Sequence, residues 1–277
     1  MSLGQWQELA LSAYTADSAW ELFHENSKLS KFSLSLSEKE VREYLSQLEE
    51  SLTFEGYPIV PLPQDLLPLK EPLGKVILSR VSNREMKAGP ISLDSLATLL
   101  RFSYGTNRKR IIPASKRSSR VVPSAGALYP IEIFLYVSHV IDLSAGLYHY
   151  DPCQHHLRLL DDRDLRAELS GSLVQTSLAQ SAAVLVFITA LFERSVFKYG
   201  ERGYRFALLE AGHVAQNMNL VSTALKLATL NVGGFFDRDI DALLRLDGVT
   251  HSTIYMLAIG TKQKNRTAHH NHSRRRA

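Results

Sequence analysis

Residues 121–137 read VVPSAGALYPIEIFLYV, two unlike halves joined at Pro130. The second half, Ile131 to Val137, is β-branched and aromatic and reads as a strand. The first half is proline, serine, glycine and alanine. Pro123 restricts the residue before it to extended backbone. Gly126 leaves the backbone free of Cβ hindrance, and Ser124 offers a hydroxyl. Such a lead-in is either a tight turn into the strand or a place where backbone comes close to a ligand. Taken alone, the stretch reads more simply as the turn.

Working outward, further strands are expected at 182–191 and 253–259. Between them lies a long helix at about 204–227, with few charges after Glu210 and with Ala207, Ala211, Gly212 and Ala215 small enough for close helix packing. A helix this apolar belongs in a core or a subunit interface. Upstream, Ser92 caps a helix through Leu93, Leu96, Leu99 and Leu100, with Gly105 as its stop. Residues 1–56 read as helical, and Ser37-Glu38-Lys39-Glu40 fits a capping box ahead of Val41, Tyr44, Leu45, Leu48 and Leu52. Pro58, Pro61, Pro63, Pro68 and Pro72 forbid a helix and mark a boundary or a wrapping linker. The expected organisation is a helical extension and linker (1–72), an α+β or α/β domain (73–262), and a basic tail read as disordered (263–277).

Composition narrows the classes. The chain has 277 residues, 45% of them hydrophobic, enough for a sizeable core. No apolar run is long enough to span a bilayer, and the first residues lack the basic-then-apolar order of a secretory signal. The expected setting is the cytoplasm. Cys153 is the only cysteine, so an intrachain disulfide and a cysteine metal cluster are excluded. Basic residues cluster at Arg108, Lys109, Arg110, Lys116, Arg117 and Arg120 and again after residue 261. The terminal cluster lacks interleaved aromatics, so nucleic acid is not an expected partner.

Four segments offer chemistry. If extended, Arg80-Val81-Ser82-Asn83-Arg84 puts two guanidiniums and a hydroxyl on one side, a set that suits an anion; an ordinary charged loop is the plainer alternative. The 124–126 turn is the second. The third holds Lys198-Tyr199-Gly200, where an amine or a phenol could accept a proton if its environment lowers its pKa; a surface loop before a helix is the alternative. The fourth is Asn231-Val232-Gly233-Gly234, whose glycines expose amides, or merely turn the chain. His213 reads as a hydrogen-bonded core histidine; His149, His155 and His156 read as surface residues near a turn at Asp151-Pro152.

In their order and spacing, Arg-x-Ser-x-Arg before a capped helix, PSAGALYPIEIFLYV, GLYHYDP, FKYGERGYRFALLEAGHVAQN and GGFFD resemble the nitroreductase-like flavoprotein family. More closely, they resemble its azoline-oxidising branch, the SagB-type or McbC-like dehydrogenases of synthetases that make thiazole- and oxazole-modified peptides, microcins among them. The likeness covers about residues 73–262. It implies an α+β fold with a mixed sheet flanked by helices, and a homodimer with FMN at the subunit interface. By analogy Arg80, Ser82 and Arg84 contact the FMN phosphate and the polar edge of its ring. Pro123, Ser124, Ala125 and Gly126 lie against the flavin, and Gly233 and Gly234 bring amides toward its reactive nitrogen. Lys262, Lys264 and Arg266, or Arg120, are candidates to complete the phosphate site. The pair implicated in catalysis corresponds to Lys198-Tyr199.

The implied reaction converts a thiazoline or oxazoline in a precursor peptide to the aromatic azole. One hydrogen leaves as a proton to Lys198 or Tyr199, the other as hydride to the flavin, which dioxygen reoxidises. A cyclodehydratase makes azolines, so a complex with cyclodehydratase subunits is expected. The acidic N-terminal region either docks that partner or covers the dimer. The alternatives are a general NAD(P)H-dependent nitro or quinone reductase and a flavin-free scaffold subunit.

Overall fold

The structure, a computed structural model, describes residues 18–31, 36–111 and 118–263. Lys116, Arg117, Lys264, Arg266 and the basic tail lie outside the described residues. The elements are α1 (Ala19–Asn26), α2 (Glu38–Gln47), β1 (Ile59–Pro61), α3 (Leu73–Ser79), β2 (Met86–Lys87), α4 (Leu93–Tyr104), β3 (Thr106–Ile111) and β4 (Ser118–Arg120). A single 3-10 turn (Ala125–Ala127) leads into β5 (Ile131–Val137), β6 (Gly146–Asp151) and β7 (His156–Asp161). Then follow α5 (Arg166–Ser172), α6 (Leu178–Ser181), β8 (Val184–Leu191), α7 (Glu193–Tyr199), α8 (Glu201–Ala224), β9 (Ala228–Val232), α9 (Asp237–Leu243) and β10 (His251–Lys262).

The main sheet runs β1–β7–β6–β5–β8–β10–β2, with β9 also paired to β10. Every pairing between these strands is antiparallel. Among the described residues, the expected mixed character comes down to one parallel bridge, Ile91–Val140. The sheet is α+β in kind, with helices on both sides. On β5, Ile131, Ile133, Leu135 and Val137 face the layer of α4 and α8, while Phe134 and Tyr136 face the layer of α5, α6 and α9. Burying a side chain of this size is worth about 1.5–3 kcal/mol, so β5 anchors both layers. Among the described residues no helix is long and apolar enough to cross a membrane.

The long helix α8 is displaced by three residues from its expected span. Gly200 (φ 53°) breaks the chain and lets a new helix start at Glu201, and Lys226 (φ 61°) follows its end. Its buried stripe is Ala207, Ala211, Val214, Ala215 and Met218, and the small residues let it pack on α4. His213 falls off that stripe and is exposed, not a core histidine. The capping box of α2 is present: Ser37 Oγ accepts from the Glu40 amide (3.3 Å), and Glu40 Oε2 accepts from the Ser37 amide (2.8 Å).

Contacts cross the expected boundary at residue 72. β1 pairs with β7, and the Phe54 ring packs on Phe134 (5.8 Å) and His149 (4.7 Å). This cover explains why His149 is 0% exposed; His155, 1% exposed, is also inside rather than on the surface and is bonded through Nδ1 to the Tyr150 hydroxyl (2.9 Å). Further out, α1 and α2 lie over α7 and α8, with Phe23 edge-on to Tyr204 (5.4 Å) and Tyr44 stacked on Phe197 (4.1 Å).

Candidate active site

The turn before β5 is strained. Gly126, Ala127 and Tyr129 have φ of 61°, 55° and 48°, a left-handed region that costs a non-glycine residue about 1–2 kcal/mol. Side chains hold it there. Ser124 Oγ accepts from the Tyr129 amide (3.0 Å), and the Tyr129 hydroxyl accepts from the Arg120 amide (3.0 Å). Arg194 Nη1 donates to the Tyr129 carbonyl (3.4 Å).

The Lys198-Tyr199 pair ends α7 instead of lying in a loop. It comes to rest over this turn. A Cβ built on Gly126 would stand 2.6 Å from Tyr199 Oη and 3.1 Å from Lys198 Nζ. Lys198 Nζ lies 5.1 Å from the Tyr199 ring centroid. Glycine at 126 is therefore required twice, by its φ and by the amine and phenol that converge on it.

Beneath the pair lies a charged cluster that the sequence reading passed over. Glu132 is 1% exposed. Its Oε1 accepts from Arg194 Nη1 (2.6 Å) and from the Leu52 amide (3.1 Å); its Oε2 accepts from His149 Nε2 (2.7 Å) and Ser51 Oγ (3.1 Å). Burial by itself would raise its pKa. The Arg194 guanidinium outweighs that, with His149 and Arg120 adding to it, and holds the carboxyl well below the usual carboxylate range. Because Arg194 belongs to α7, this ion pair fixes the helix that presents Lys198 and Tyr199. An acid inside the apolar run IEIFLYV was the available signal.

Arg120 is turned into the domain, away from Arg80, Ser82 and Arg84. It is 7% exposed, lies over the rings of Tyr104 (4.3 Å) and Tyr129 (5.0 Å), and donates to the Glu50 carbonyl and to the Ile131 carbonyl (3.4 Å). Aromatic faces and carbonyls absorb its charge inside the domain.

Arg80, Ser82 and Arg84 gather elsewhere. Asn83 staples this segment to β9: its amide donates to the Thr229 carbonyl (2.9 Å), and its Oδ1 accepts from the Thr229 amide (3.2 Å). Ser82 and Arg84 are left exposed, with Arg80 Nη1 3.5 Å from Ser82 Oγ. Ser82, Arg84, Leu230, Asn231, Gly233 and Gly234 line a cavity of about 310 Å³. Lys262 pairs across the sheet edge with Met86, two residues beyond Arg84. A second cavity, of about 300 Å³, is lined by Pro123, Ser124, Ala125, Phe206, Leu209, Glu210 and His213. The two share no residue. The predicted site residues thus form two groups in one chain: 123–126 with Lys198 and Tyr199, and Arg80, Ser82 and Arg84 with Gly233, Gly234 and Lys262.

The open antiparallel sheet between two helical layers, with these clefts at its margins, is a nitroreductase fold, the build of an oxidoreductase class. Residues 77–261 match the Nitroreductase family, and the chain belongs to it. A Methanocaldococcus jannaschii protein named as a nitroreductase is 35% identical over 174 residues, 63% of this chain and 84% of its own. The microcin B17-processing protein McbC of Escherichia coli is 34% identical over 155 residues, 53% of this chain and 56% of its own. The trifolitoxin-processing protein TfxB of Rhizobium leguminosarum is 28% identical over 170 residues, 59% of this chain and 46% of its own. The chain spans about half the length of the McbC and TfxB relatives. In fold it resembles the E. coli microcin synthetase McbBCD complex with truncated pro-MccB17 bound, with a TM-score of 0.56 and 24% identity over 95% of this chain and 98% of that one. A nitroreductase crystal structure from Anabaena variabilis gives a TM-score of 0.65 and 26% identity over 84% of this chain and 50% of that one.

Proposed function

We propose that this chain is an FMN-dependent azoline dehydrogenase, oxidising thiazolines or oxazolines of a precursor peptide to thiazoles or oxazoles. The observation that carries the reading is the convergence of Lys198 Nζ and Tyr199 Oη on the bare Cα of Gly126. An amine and a phenol side by side give a proton acceptor beside a flat binding surface. The names of the microcin B17-processing protein McbC and the trifolitoxin-processing protein TfxB support a peptide substrate.

The residues present fit FMN. Arg80, Ser82, Arg84 and Lys262 offer cations and a hydroxyl for a phosphate, and nothing lies within 4 Å of where a Cβ would stand on Gly233. When bound, FMN supplies the acceptor for a hydride and the route of the electron pair to dioxygen. Lys198 or Tyr199 takes the proton from the azoline ring, so the substrate loses two hydrogens and becomes aromatic. The 123–126 turn offers a face without bulky side chains, and Glu132 and Arg194 keep α7 in register with it.

Two copies complete the arrangement in this reading. The cavity with Ser82 and Gly233 and the cavity with Ser124 are separate within one chain, so a second copy would bring its own 123–126 turn over the first copy's arginines. Exposed Tyr204, Leu208 and Leu209 on α8, and Leu73, Ile77 and Leu78 on α3, are the apolar surface such a homodimer would cover. Cyclodehydratase subunits of a synthetase are the further partners, in keeping with the likeness to McbC.

The test is direct. Purified protein should be yellow with FMN absorbance and should remove two hydrogens from azoline peptides by mass. Colourless protein that FMN does not reconstitute would end the proposal. The M. jannaschii relative favours a second reading, a general NAD(P)H-dependent nitro or quinone reductase. Rapid NAD(P)H consumption with nitroaromatics, without azoline oxidation, would select it.

A further inference from the structure

Glu210 has no part in the chemistry above, yet it lines the cavity under the 124–126 turn while being 2% exposed. We propose that Glu210 is a positioning residue: its carboxyl, seated between Tyr104, Arg120 and Ser124, clamps the 124–126 turn against Lys198 and Tyr199 when ionised and loosens it on taking up a proton.

The hydrogen bonds permit both charge states. Tyr104 has one proton and two acceptors, the Ile131 carbonyl at 2.9 Å and Glu210 Oε1 at 3.0 Å. An ionised Glu210 takes that proton, and Arg120 Nη1 serves the Ile131 carbonyl (3.4 Å). A protonated Glu210 donates into the phenol oxygen, and Tyr104 turns its hydrogen to Ile131. Neither state leaves the Tyr104 hydroxyl or the Ile131 carbonyl without a partner. Ser124 couples the carboxyl to the turn: its oxygen accepts from the Tyr129 amide, and it shares the wall of the cavity of about 300 Å³ with Glu210, where its hydroxyl hydrogen can turn to the carboxyl. A hydrogen bond to a charged acceptor is roughly twice as strong as a neutral one, so the turn is held more firmly by the ionised form.

Charge around the carboxyl is finely balanced. Facing it are Arg120 from β4, Arg194 from α7, Tyr104 from α4 and Ser124 from the turn; Glu132 of β5 acts on the same arginines, and His213 lines the same cavity. Two buried guanidiniums face Glu132 and Glu210, which favours ionisation, and desolvation opposes it. Burial wins in part and pushes the carboxyl up to about 7.

Two readouts need no flavin. Infrared difference spectra of the full chain should show a protonated carboxyl band that disappears with a midpoint near pH 7, absent in Glu210→Gln. Hydrogen exchange at the Tyr129 amide, corrected for the chemical rate, should slow by about tenfold through the same midpoint and be pH-independent in Glu210→Gln. Tyr104→Phe keeps the ring and removes one stabilising hydrogen bond, so it should move both midpoints to higher pH, which keeps the test open if the first variant folds poorly. The third readout rests on the azoline reading: the pH profile of oxidation should lose its limb near 7 in Glu210→Gln. A wild type without azoline activity would sink that reading only. A turn whose exchange follows the same pH curve in both proteins, or a band that persists in Glu210→Gln, would overturn the role of Glu210.

Discussion

Replacing Gly126 by alanine probes the site with one methyl group. At φ 61° alanine costs about 1 kcal/mol relative to glycine. The new Cβ would stand 2.6 Å from Tyr199 Oη, where carbon–oxygen contacts normally settle at about 3.3 Å. Both atoms facing the methyl are tips of long side chains, so they retreat instead of unfolding the turn, and the clash adds little to the loss of stability. Tyr199 Oη must move by about 0.7 Å, and a displacement approaching 1 Å from reacting geometry costs about 10²-fold in rate. The expected variant melts about 2–4 °C lower, while azoline oxidation, followed by mass, falls about 10²-fold. Tyr199→Phe removes the oxygen that the methyl meets. In the double variant the methyl meets no oxygen, so the losses in rate of the two single variants should not add. Undiminished activity in Gly126→Ala, together with zero coupling to Tyr199→Phe, would refute the convergence itself.

Four further outcomes follow. Lys198→Ala should cripple azoline oxidation while sparing nitroaromatic reduction at saturating NAD(P)H; equal losses would favour the general reductase. Arg194→Met strands a buried carboxylate and should cost about 3–5 kcal/mol in denaturant melts at neutral pH. Wild-type stability should carry an acid limb from Glu132: its folded pKa lies below the ordinary 4.5, so its contribution is present above that pH and is lost as pH falls toward the folded value. Glu210 has the opposite sign, because its folded value of about 7 exceeds 4.5; its contribution is complete below pH 4.5 and lost as pH rises through 7, so above that Glu210→Gln should exceed wild type by up to about 3 kcal/mol.

What was legible in the sequence is what local chemistry decides. The capping box at Ser37, the helix begun at Ser92 and the strand 131–137 each rest on neighbours within a few positions, and each stands where expected. Lys198 and Tyr199 were legible as chemistry but not as geometry, since their meeting with Gly126 joins positions more than 70 apart in the chain. His149 misled because its burial depends on Phe54, which comes from the extension, and His155 because it packs inward on Tyr150 of β6. His213 was a misread period: Ala207, Ala211, Val214 and Met218 mark the buried stripe of α8, and 213 lies off it. Glu210 does lie on that stripe, three after Ala207, and an acid there was a signal as plain as Glu132 in its strand.

Glu132 also changes how the N-terminal region is to be understood. Its carboxylate ties together the Ser51 hydroxyl and the Leu52 amide, His149 of β6 and Arg194 of α7. Cutting the chain at residue 56 would therefore remove two of its donors and the Phe54 ring as well, and would damage the platform under Lys198 whatever else the extension does. Loss of a synthetase complex on such a cut would say nothing about docking. The helices α1 and α2 are a different matter, since they touch the body through ring contacts such as Phe23–Tyr204 and Tyr44–Phe197 and leave Trp20, Leu22 and Leu29 exposed. A cut before Leu48 keeps the Glu132 donors and removes only that outer layer, so it is the cut that separates a docking role from a structural one. The Tyr44 stack falls on Phe197, immediately before Lys198 and Tyr199, so whatever binds this layer would bear on α7 directly.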